Sequence, residues 1–485
     1  MSIIKNHVSD QKTIETQKPL TTLWHALLAG QGIVAYIPII IVSILMFGGT
    51  SWEIFWLSTD PARYQCYALT FWLGSSATQL LPASQCAFLH ISTLAQPPFH
   101  MLPLEYPPLT LVLFSLPLLV PLPYYQLIFA VLMALTAVLI YWLLLHHGPR
   151  GAALAFGLYM LIGVMATAEG RFDLVPAALT LLCLIAAERK HWTSAYVALA
   201  FGFLLKIYPI LLLPALFIAE QQDIQRFYIP PKSLTIKSLP GALWRTLLDI
   251  HHWRWKNTLV FFSIILGVTA FFALLSFQGA VVSQWNYFAN RPLQVESTGS
   301  MLLWLGTSFG FPVHIEFTYG SVNMVSALGG AVTLLFEVLF VLGYMYTLLL
   351  QWRRKLNLAQ ACIALLLVFI VTSKVFSPQY LIWIIPLLAY SGAFDSLWLI
   401  SWGAISLLTT IIYPYLYTRT LDPLQTPYVP DFIQFVAARN AAFVLLTLAY
   451  LFDWFHLWRR DTNTPKIKRG VRRKALPQGV IEEET

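Results

Sequence analysis

The chain has 485 residues, of which 58% are hydrophobic and 11% charged, with 17 Trp, 22 Tyr, 32 Phe and a formal net charge of +8. Apolar stretches recur from residue 23 to residue 457, too many and too long for a soluble fold when ~30 Å of hydrocarbon is the length to be matched. Long continuous runs, rather than short alternating segments, exclude a β-barrel and predict an all-α polytopic membrane protein. The positive charge sits in short loops and in the tail KIKRGVRRK (466–474); this is the pattern of cytoplasmic anchors near anionic lipid rather than of a nucleic-acid footprint.

In chain order, residues 1–22 read as a cytoplasmic N-terminal tail and 23–458 as one transmembrane domain. The first apolar run, 23–47, ends without a small-residue cleavage site and reads as a retained span. Further spans are predicted at 123–146, 150–168, 172–188, 257–280, 326–350, 358–374, 378–393, 396–417 and 435–458. Together with re-entrant pieces this gives about 11–13 transmembrane or re-entrant helices. Residues 48–122 form a large first loop, 219–256 a basic loop, and 459–485 a basic tail. The basic clusters Arg189-Lys190, 226–256, Arg353-Arg354-Lys355 and the tail set the orientation. Both termini are then cytoplasmic, in a multi-pass plasma-membrane protein whose unusual polar residues face outward.

Two segments depart from simple spans. Residues 106–122 are apolar but carry prolines at 107, 108, 117 and 121, and read as interfacial or re-entrant. Residues 193–219 lie between two basic loops and must enter and leave on one side. A helical hairpin broken at Lys206–Pro209 satisfies this, since Pro209 cannot continue a helix. Lys206 is the only charge between Lys190 and Glu220. An ammonium at mid-bilayer costs roughly 2.5–3.5 kcal/mol on insertion scales, so its place at a helix break marks an anion site.

The outward loops carry the candidate chemistry. Asp60 opens a segment with Tyr64, Tyr67, Ala68, Phe71 and Trp72 at helical spacing, expected to lie in the membrane interface. Asp60 is a candidate general base and equally the N-cap of that helix, with Pro61 at the first helical position; both roles are compatible. Glu105-Tyr106 is stiffened by Pro107 and Pro108 and is suited to a sugar hydroxyl or to orienting Asp60. Glu169, Arg171 and Asp173 share a tight turn. Arg291, Gln294 and Glu296 share another loop, Lys374 and Gln379 flank a proline break, and Tyr208 follows Lys206; Arg171, Asp173, Tyr208, Gln294, Glu296, Gln379 and His314 are, with Glu105 and Tyr106, the candidate sugar or acceptor ligands. His314 and Glu316 are weaker candidates beyond a short re-entrant run at 301–313. Lys206, Arg291 and Lys374 are three cations facing one compartment, a set suited to a phosphate. Glu337 reads as a buried acid bonded to a neighbouring helix. Cys66 and Cys86 fall in the same loop, as a disulfide or as two free thiols.

No Walker loop, dinucleotide fingerprint, HExxH or CxxC is present. No cofactor or metal site is therefore expected, and no nucleic-acid partner. An outward phosphate-reading site without nucleotide machinery points to a lipid-borne phosphate.

The order of motifs carries a resemblance. An acidic residue in the first loop is followed by EYPPL (105–109), the G-x-x-D turn ending at Asp173, K-x-YP (206–209), RPLQ-x-ES (291–297) and SPQYL (377–381). This resembles the GT-C membrane glycosyltransferases, closest to glycosyltransferase family 87, the polyprenyl-phosphomannose-dependent mannosyltransferases. The resemblance implies a GT-C fold and inverting transfer of a hexose, mannose in this family, from a polyprenyl-phosphate sugar to a lipid or glycan hydroxyl at the outer face. It implies Asp60 as the base and Lys206 and Arg291 at the donor phosphate. The sequence departs from the family at Phe172, where glutamine or tyrosine is more usual, and in a longer stretch between Tyr67 and Glu105. The competing class is a transporter or flippase, which also places charges at broken helices.

Overall fold

The computed structural model describes residues 32–57, 59–89, 96–225, 238–392 and 396–453. The N-terminal and C-terminal tails expected at 1–22 and 459–485, and the stretch 226–237 of the basic loop, lie outside the described residues.

Among the described residues, six helices are long and apolar enough to cross a membrane: Ile33–Phe55, Leu122–His147, Lys256–Leu275, Gly329–Trp352, Trp398–Arg419 and Phe432–Leu451. Six shorter apolar helices accompany them: Thr110–Leu119, Ala152–Val164, Leu174–Glu188, Trp192–Leu205, Leu358–Thr372 and Tyr380–Gly392. The protein is an all-α polytopic membrane protein as expected. The helices used below are α1 (Ile37–Phe55), α2 (Asp60–Leu73), α3 (Thr110–Ser115), α4 (Tyr125–His147), α5 (Ala152–Val164), α6 (Leu174–Glu188), α7 (Trp192–Leu205), α8 (Leu213–Asp223), α9 (Leu239–Leu248), α10 (Lys256–Leu275), α11 (Ser283–Asn290), α12 (Thr298–Gly306), α13 (Gly329–Trp352), α14 (Leu358–Thr372), α15 (Tyr380–Gly392), α16 (Ser396–Thr410) and α17 (Phe432–Leu451). The runs drawn as spans at 150–168, 172–188, 358–374 and 378–393 are helices of 13 to 15 residues. They form the centre of the main core, with Ile363, Leu365, Leu366, Leu367, Ile384 and Ile385 fully buried.

The break at Lys206–Pro209 is where the sequence placed it. Helix α7 ends at Leu205, Lys206 is extended (φ −153°, ψ 139°), and a short 3-10 turn over Tyr208–Leu212 leads into α8. The two arms return to the same end. Lys190, just before α7, pairs with Asp223, the last residue of α8, at 2.7 Å. Asn257 of α10 then joins the arms, accepting from Thr193 at 2.8 Å and donating to Glu220 at 2.7 Å.

In the first loop, helix α2 is packed into the protein on nearly every side, with Tyr64, Cys66, Tyr67, Ala68 and Phe71 buried and Trp72 half-exposed. A disulfide between Cys66 and Cys86 ties it to the following loop. Its cover is aromatic: Tyr64 stacks on Phe114 at 4.3 Å and meets Tyr106, Phe129 and Phe172. The proline-rich segment 106–122 supplies only α3 and a 3-10 turn to Leu119, ten residues in all, too short to cross.

A small antiparallel sheet was not anticipated. Strands β1 (Leu293–Gln294), β2 (Val313–Thr318) and β3 (Ser321–Ser326) pair in the order β1-β3-β2. The β2–β3 hairpin turns at Tyr319 and Gly320, both at positive φ (53° and 68°), the conformation of a two-residue hairpin turn. Val322 and Met324 join Leu303, Val332, Phe432 and Val436 in a second core between the sheet and helices α12, α13 and α17.

Candidate functional site

The site is built on the turn between α5 and α6. Residues Ala168–Gly170 form one 3-10 turn and Asp173 leads directly into α6. Within the next three residues the turn reaches in two directions. Arg171 Nη1 contacts Asp60 Oδ2 in an ion pair. Asp173 Oδ1 pairs with Lys206 Nζ at 2.6 Å and accepts from the Trp383 indole N–H at 2.5 Å. Phe172, between them, lies 4.7 Å under the Lys206 ammonium and packs edge-on against Tyr64, Tyr106 and Phe114. The candidate base and the candidate phosphate cation are thus held by residues two apart in one turn.

Asp60 is not the N-cap. Thr59 holds that position, and Asp60 is in the first turn of α2. Its carboxylate is directed to guanidinium groups instead: Arg171, and Arg63 Nη1 at 3.7 Å. Arg63 also binds Glu105 through Nη2 and lies 4.5 Å over the Phe88 ring. Burial, the largest single influence, would lower the Arg63 pKa, but the Glu105 carboxylate together with the Tyr106, Tyr67 and Tyr287 hydroxyls outweighs it and the group is held above its ordinary value. Burial raises the Tyr106 hydroxyl well above its usual range, so Tyr106 acts as a neutral hydrogen-bonding group.

The exposure of these side chains is informative. Asp60, Glu105, Lys206, Arg171 and Arg63 keep 10, 12, 14, 15 and 17% of their side-chain surface. They are recessed yet reachable, whereas Asp173 at 0% and Glu53 at 1% support them from behind.

Arg291 completes the group. It lies close enough to Lys206 to act on it electrostatically. Its Nη1 donates to the Tyr287 hydroxyl at 3.1 Å and its guanidinium sits 5.2 Å from the Tyr287 ring. Among the described residues no carboxylate lies within ion-pair distance of it, and its buried Nε–H has no acceptor. Lys206 is already neutralised by Asp173; Arg291 is the cation with charge to spare. Tyr208 stacks on Trp383 at 4.2 Å, beside Lys206, and Tyr380 also stacks on that ring at 4.0 Å.

Other residues singled out from the sequence lie elsewhere. Lys374 Nζ is engaged by the Ala289 carbonyl at 3.5 Å and by Glu337 at 3.6 Å. Glu337 is not buried: its side chain is 60% exposed on α13. Gln294 accepts from the Phe376 N–H at 3.0 Å and fastens β1 to the loop before α15. Glu296 is fully buried in an ion pair with Arg439 at 2.7 Å, and its other oxygen accepts from Tyr417 at 2.9 Å. His314 is exposed on β2 opposite Val325. Gln379 is half-buried at the start of α15.

Two groups at the site went unremarked in the sequence. Glu53, in the last turn of α1, lies 3.6 Å from Arg171 Nη2, and Tyr413 donates to Glu53 Oε1 at 3.1 Å. The apolar run read from the sequence ends at residue 47, but the helix continues to Phe55 and carries Glu53 into the protein, and Tyr413 is 360 residues away, so no local signal marks the pair. Glu169 is fully buried with neither oxygen hydrogen-bonded, and burial pushes its carboxyl up to about 8. At the opposite end of the helices a cavity of about 370 Å³ is lined by His147, Glu188, Asn357, Gln360 and Tyr390. Its ionic groups are already engaged, Glu188 by the Tyr390 hydroxyl and His147 by Arg189.

Residues 104–229 match glycosyltransferase family 87. That segment contains Glu105, Tyr106, the whole 169–173 turn, Lys206 and Tyr208, so the resemblance drawn from the motifs is borne out where most of the site is built. A crystal structure of ArnT from Cupriavidus metallidurans bound to undecaprenyl phosphate is similar over 88% of this chain and 72% of its own, with 14% identity and a TM-score of 0.39. No curated protein matches the chain in sequence.

Proposed function

We propose that this protein is an inverting membrane glycosyltransferase that moves a hexose, mannose by preference, from a polyprenyl-phosphate sugar to a hydroxyl of a lipid or glycan acceptor. The observation that carries the reading is the 169–173 turn, which joins Asp60 through Arg171 and Lys206 through Asp173. In the reaction the acceptor oxygen forms a bond to the anomeric carbon and Asp60 takes its proton. The bond from that carbon to the phosphate oxygen breaks, and polyprenyl phosphate leaves with the electron pair. The leaving phosphate gains charge as this happens, and cations aimed at that charge lower the barrier. Arg291 is assigned the direct contact, because it has an unused N–H and no counter-ion among the described residues. Lys206 adds charge from its seat on Asp173. Glu105, held by Arg63, and Tyr106 are assigned to sugar or acceptor hydroxyls. The chemistry as drawn calls for no metal or cofactor.

The outer face is the proposed location of this site. The Cys66–Cys86 disulfide is on the helix that Asp60 opens, and disulfides persist in oxidising compartments. The basic clusters by sequence assign the opposite side to the cytoplasm. A transporter would use a charge within a span such as Glu337 to line an internal path, whereas Glu337 lies exposed on α13 and is paired with Lys374.

The test is incubation of the purified protein in lipid with radiolabelled polyprenyl-phosphomannose and membrane lipids, followed by product analysis. A labelled glycolipid or glycan is expected, with Arg291→Met and Lys206→Met each lowering transfer by about 10²–10³-fold, the usual scale for removing one such contact. No transfer from any polyprenyl-phosphate sugar would refute the reading.

A further inference from the structure

We infer that Glu53 and Tyr413 are positioning residues for Asp60, acting through Arg171. This rests on the reading of Asp60 as the base. Arg171 uses different nitrogens for the two carboxylates: Nη1 meets Asp60, while Nη2 lies 3.6 Å from Glu53 Oε1 and donates to the Tyr413 hydroxyl at 3.3 Å. Tyr413 in turn donates to the same Glu53 oxygen at 3.1 Å. The guanidinium is planar and rigid, so fixing one edge fixes the direction of the other. A carboxylate 1% exposed at the end of a membrane helix is costly unless it is paired. Backbone and side chain of Glu53 both serve the same neighbourhood, since its carbonyl accepts from the Thr59 hydroxyl at 2.7 Å, one residue before Asp60. Space for the carboxylate exists because residue 170 is glycine: a Cβ there would overlap the Glu53 side chain.

The arrangement has a consequence for the reaction cycle. When Asp60 takes the acceptor proton it becomes neutral and stops compensating Arg171. Glu53 remains as a counter-charge, so the guanidinium keeps its place and Asp60 can return its proton to solvent. With Glu53 removed, Arg171 belongs to Asp60 alone; the ion pair tightens and the base weakens. The charged and titratable groups that act on this pair are Arg63 on α2 itself, Glu53 on α1, Asp173 in the turn and Tyr413 beyond α16, with Glu105 in the loop bound to Arg63. α3 brings no titratable group.

The test measures kcat, donor KM and the pH profile of kcat/KM for wild type, Glu53→Gln, Glu53→Asp and Tyr413→Phe. For Glu53→Gln the expected result is a kcat lower by about 10- to 100-fold, the scale of a small misplacement of a reacting group, with donor KM nearly unchanged and the acid limb moved to lower pH. Tyr413→Phe removes one hydroxyl, gives a smaller effect in the same direction, and serves if Glu53→Gln does not fold. Glu53→Asp recovers part of the rate. Unchanged kcat and profile in either variant, or a fall in kcat with the acid limb unmoved, overturns the inference while leaving the Asp60 reading intact. No transfer by wild type, or full activity in Asp60→Asn, overturns both.

Discussion

Glu296→Ala separates a structural strut from a substrate contact. The sequence placed Glu296 among candidate sugar or acceptor ligands, but its carboxylate is sealed against Arg439, with 2% and 0% of the two side chains exposed. Arg439 Nη1 donates to Glu296 Oε2 at 2.7 Å and Tyr417 donates to Oε1 at 2.9 Å. Arg439 Nη2 and Asn440 donate to the Glu296 carbonyl at 2.7 and 3.0 Å. The substitution keeps the two carbonyl contacts and removes both side-chain ones, leaving a buried guanidinium without its anion. Breaking a buried pair in this way costs about 3–5 kcal/mol. The loss falls on the joint between β1, α17 and the segment after α16, where Arg439 also lies 3.9 Å from the Phe376 ring. Thermal unfolding of the detergent-solubilised protein should show a midpoint lower by on the order of 5 °C or more. The double variant Glu296→Leu, Arg439→Leu should regain most of that loss, because an apolar pair of similar volume often equals or exceeds a buried ion pair in stability. An unchanged midpoint together with a raised acceptor KM in Glu296→Ala would refute the reasoning and return Glu296 to the binding site.

Three further outcomes follow from the site. Glu169 has a folded pKa raised to about 8 against an ordinary 4.5, so the folded state holds a proton that the unfolded state has lost between those values. Stability should therefore fall as pH rises from about 4.5 to 8, and Glu169→Gln should flatten that slope in unfolding midpoints measured across the range. Gly320→Val should loosen the hairpin from the first loop, since a Cβ at that position, at φ 68°, would lie 2.9 Å from Glu105 Oε1 and 3.1 Å from Arg63 Nη1; a lower transfer rate with the unfolding midpoint reduced by a few degrees is expected, measured against Gly310→Val, where nothing lies within 4 Å. Cys66→Ser with Cys86→Ser removes a cross-link between residues 20 apart, worth about 3 kcal/mol by chain entropy, and should lower the unfolding midpoint of the oxidised protein to that of the reduced one.

What the sequence disclosed was what local chemistry dictates. Lys206 beside Pro209 announced a helix break because an ammonium and a missing N–H are each intolerable inside an apolar helix, and the break is there. The 169–173 turn was legible as a polar cluster, though not that its residues reach to opposite partners. The hairpin over Val313–Ser326 has a sequence signal, since Val313, Ile315 and Phe317 alternate with polar residues before the Tyr319-Gly320 turn, but a period of two over six residues is weak beside helical runs several times as long. The remaining misses are long-range. Nothing local in Glu296 marks Arg439 as its partner 143 residues on, and nothing in Glu53 marks Tyr413. Lys374 has the composition of a phosphate ligand, but the loop fastened by Gln294 directs its side chain to Glu337.

The central claim is that Asp60 is the base for sugar transfer from a polyprenyl-phosphate donor. The most direct measurement is transfer of labelled sugar by wild type and by Asp60→Asn, with the fold of each checked by its unfolding midpoint. The account predicts product with wild type and a loss of at least about 10²-fold with Asp60→Asn, the lower end of what a general base contributes. Wild-type transfer by a folded Asp60→Asn would contradict it.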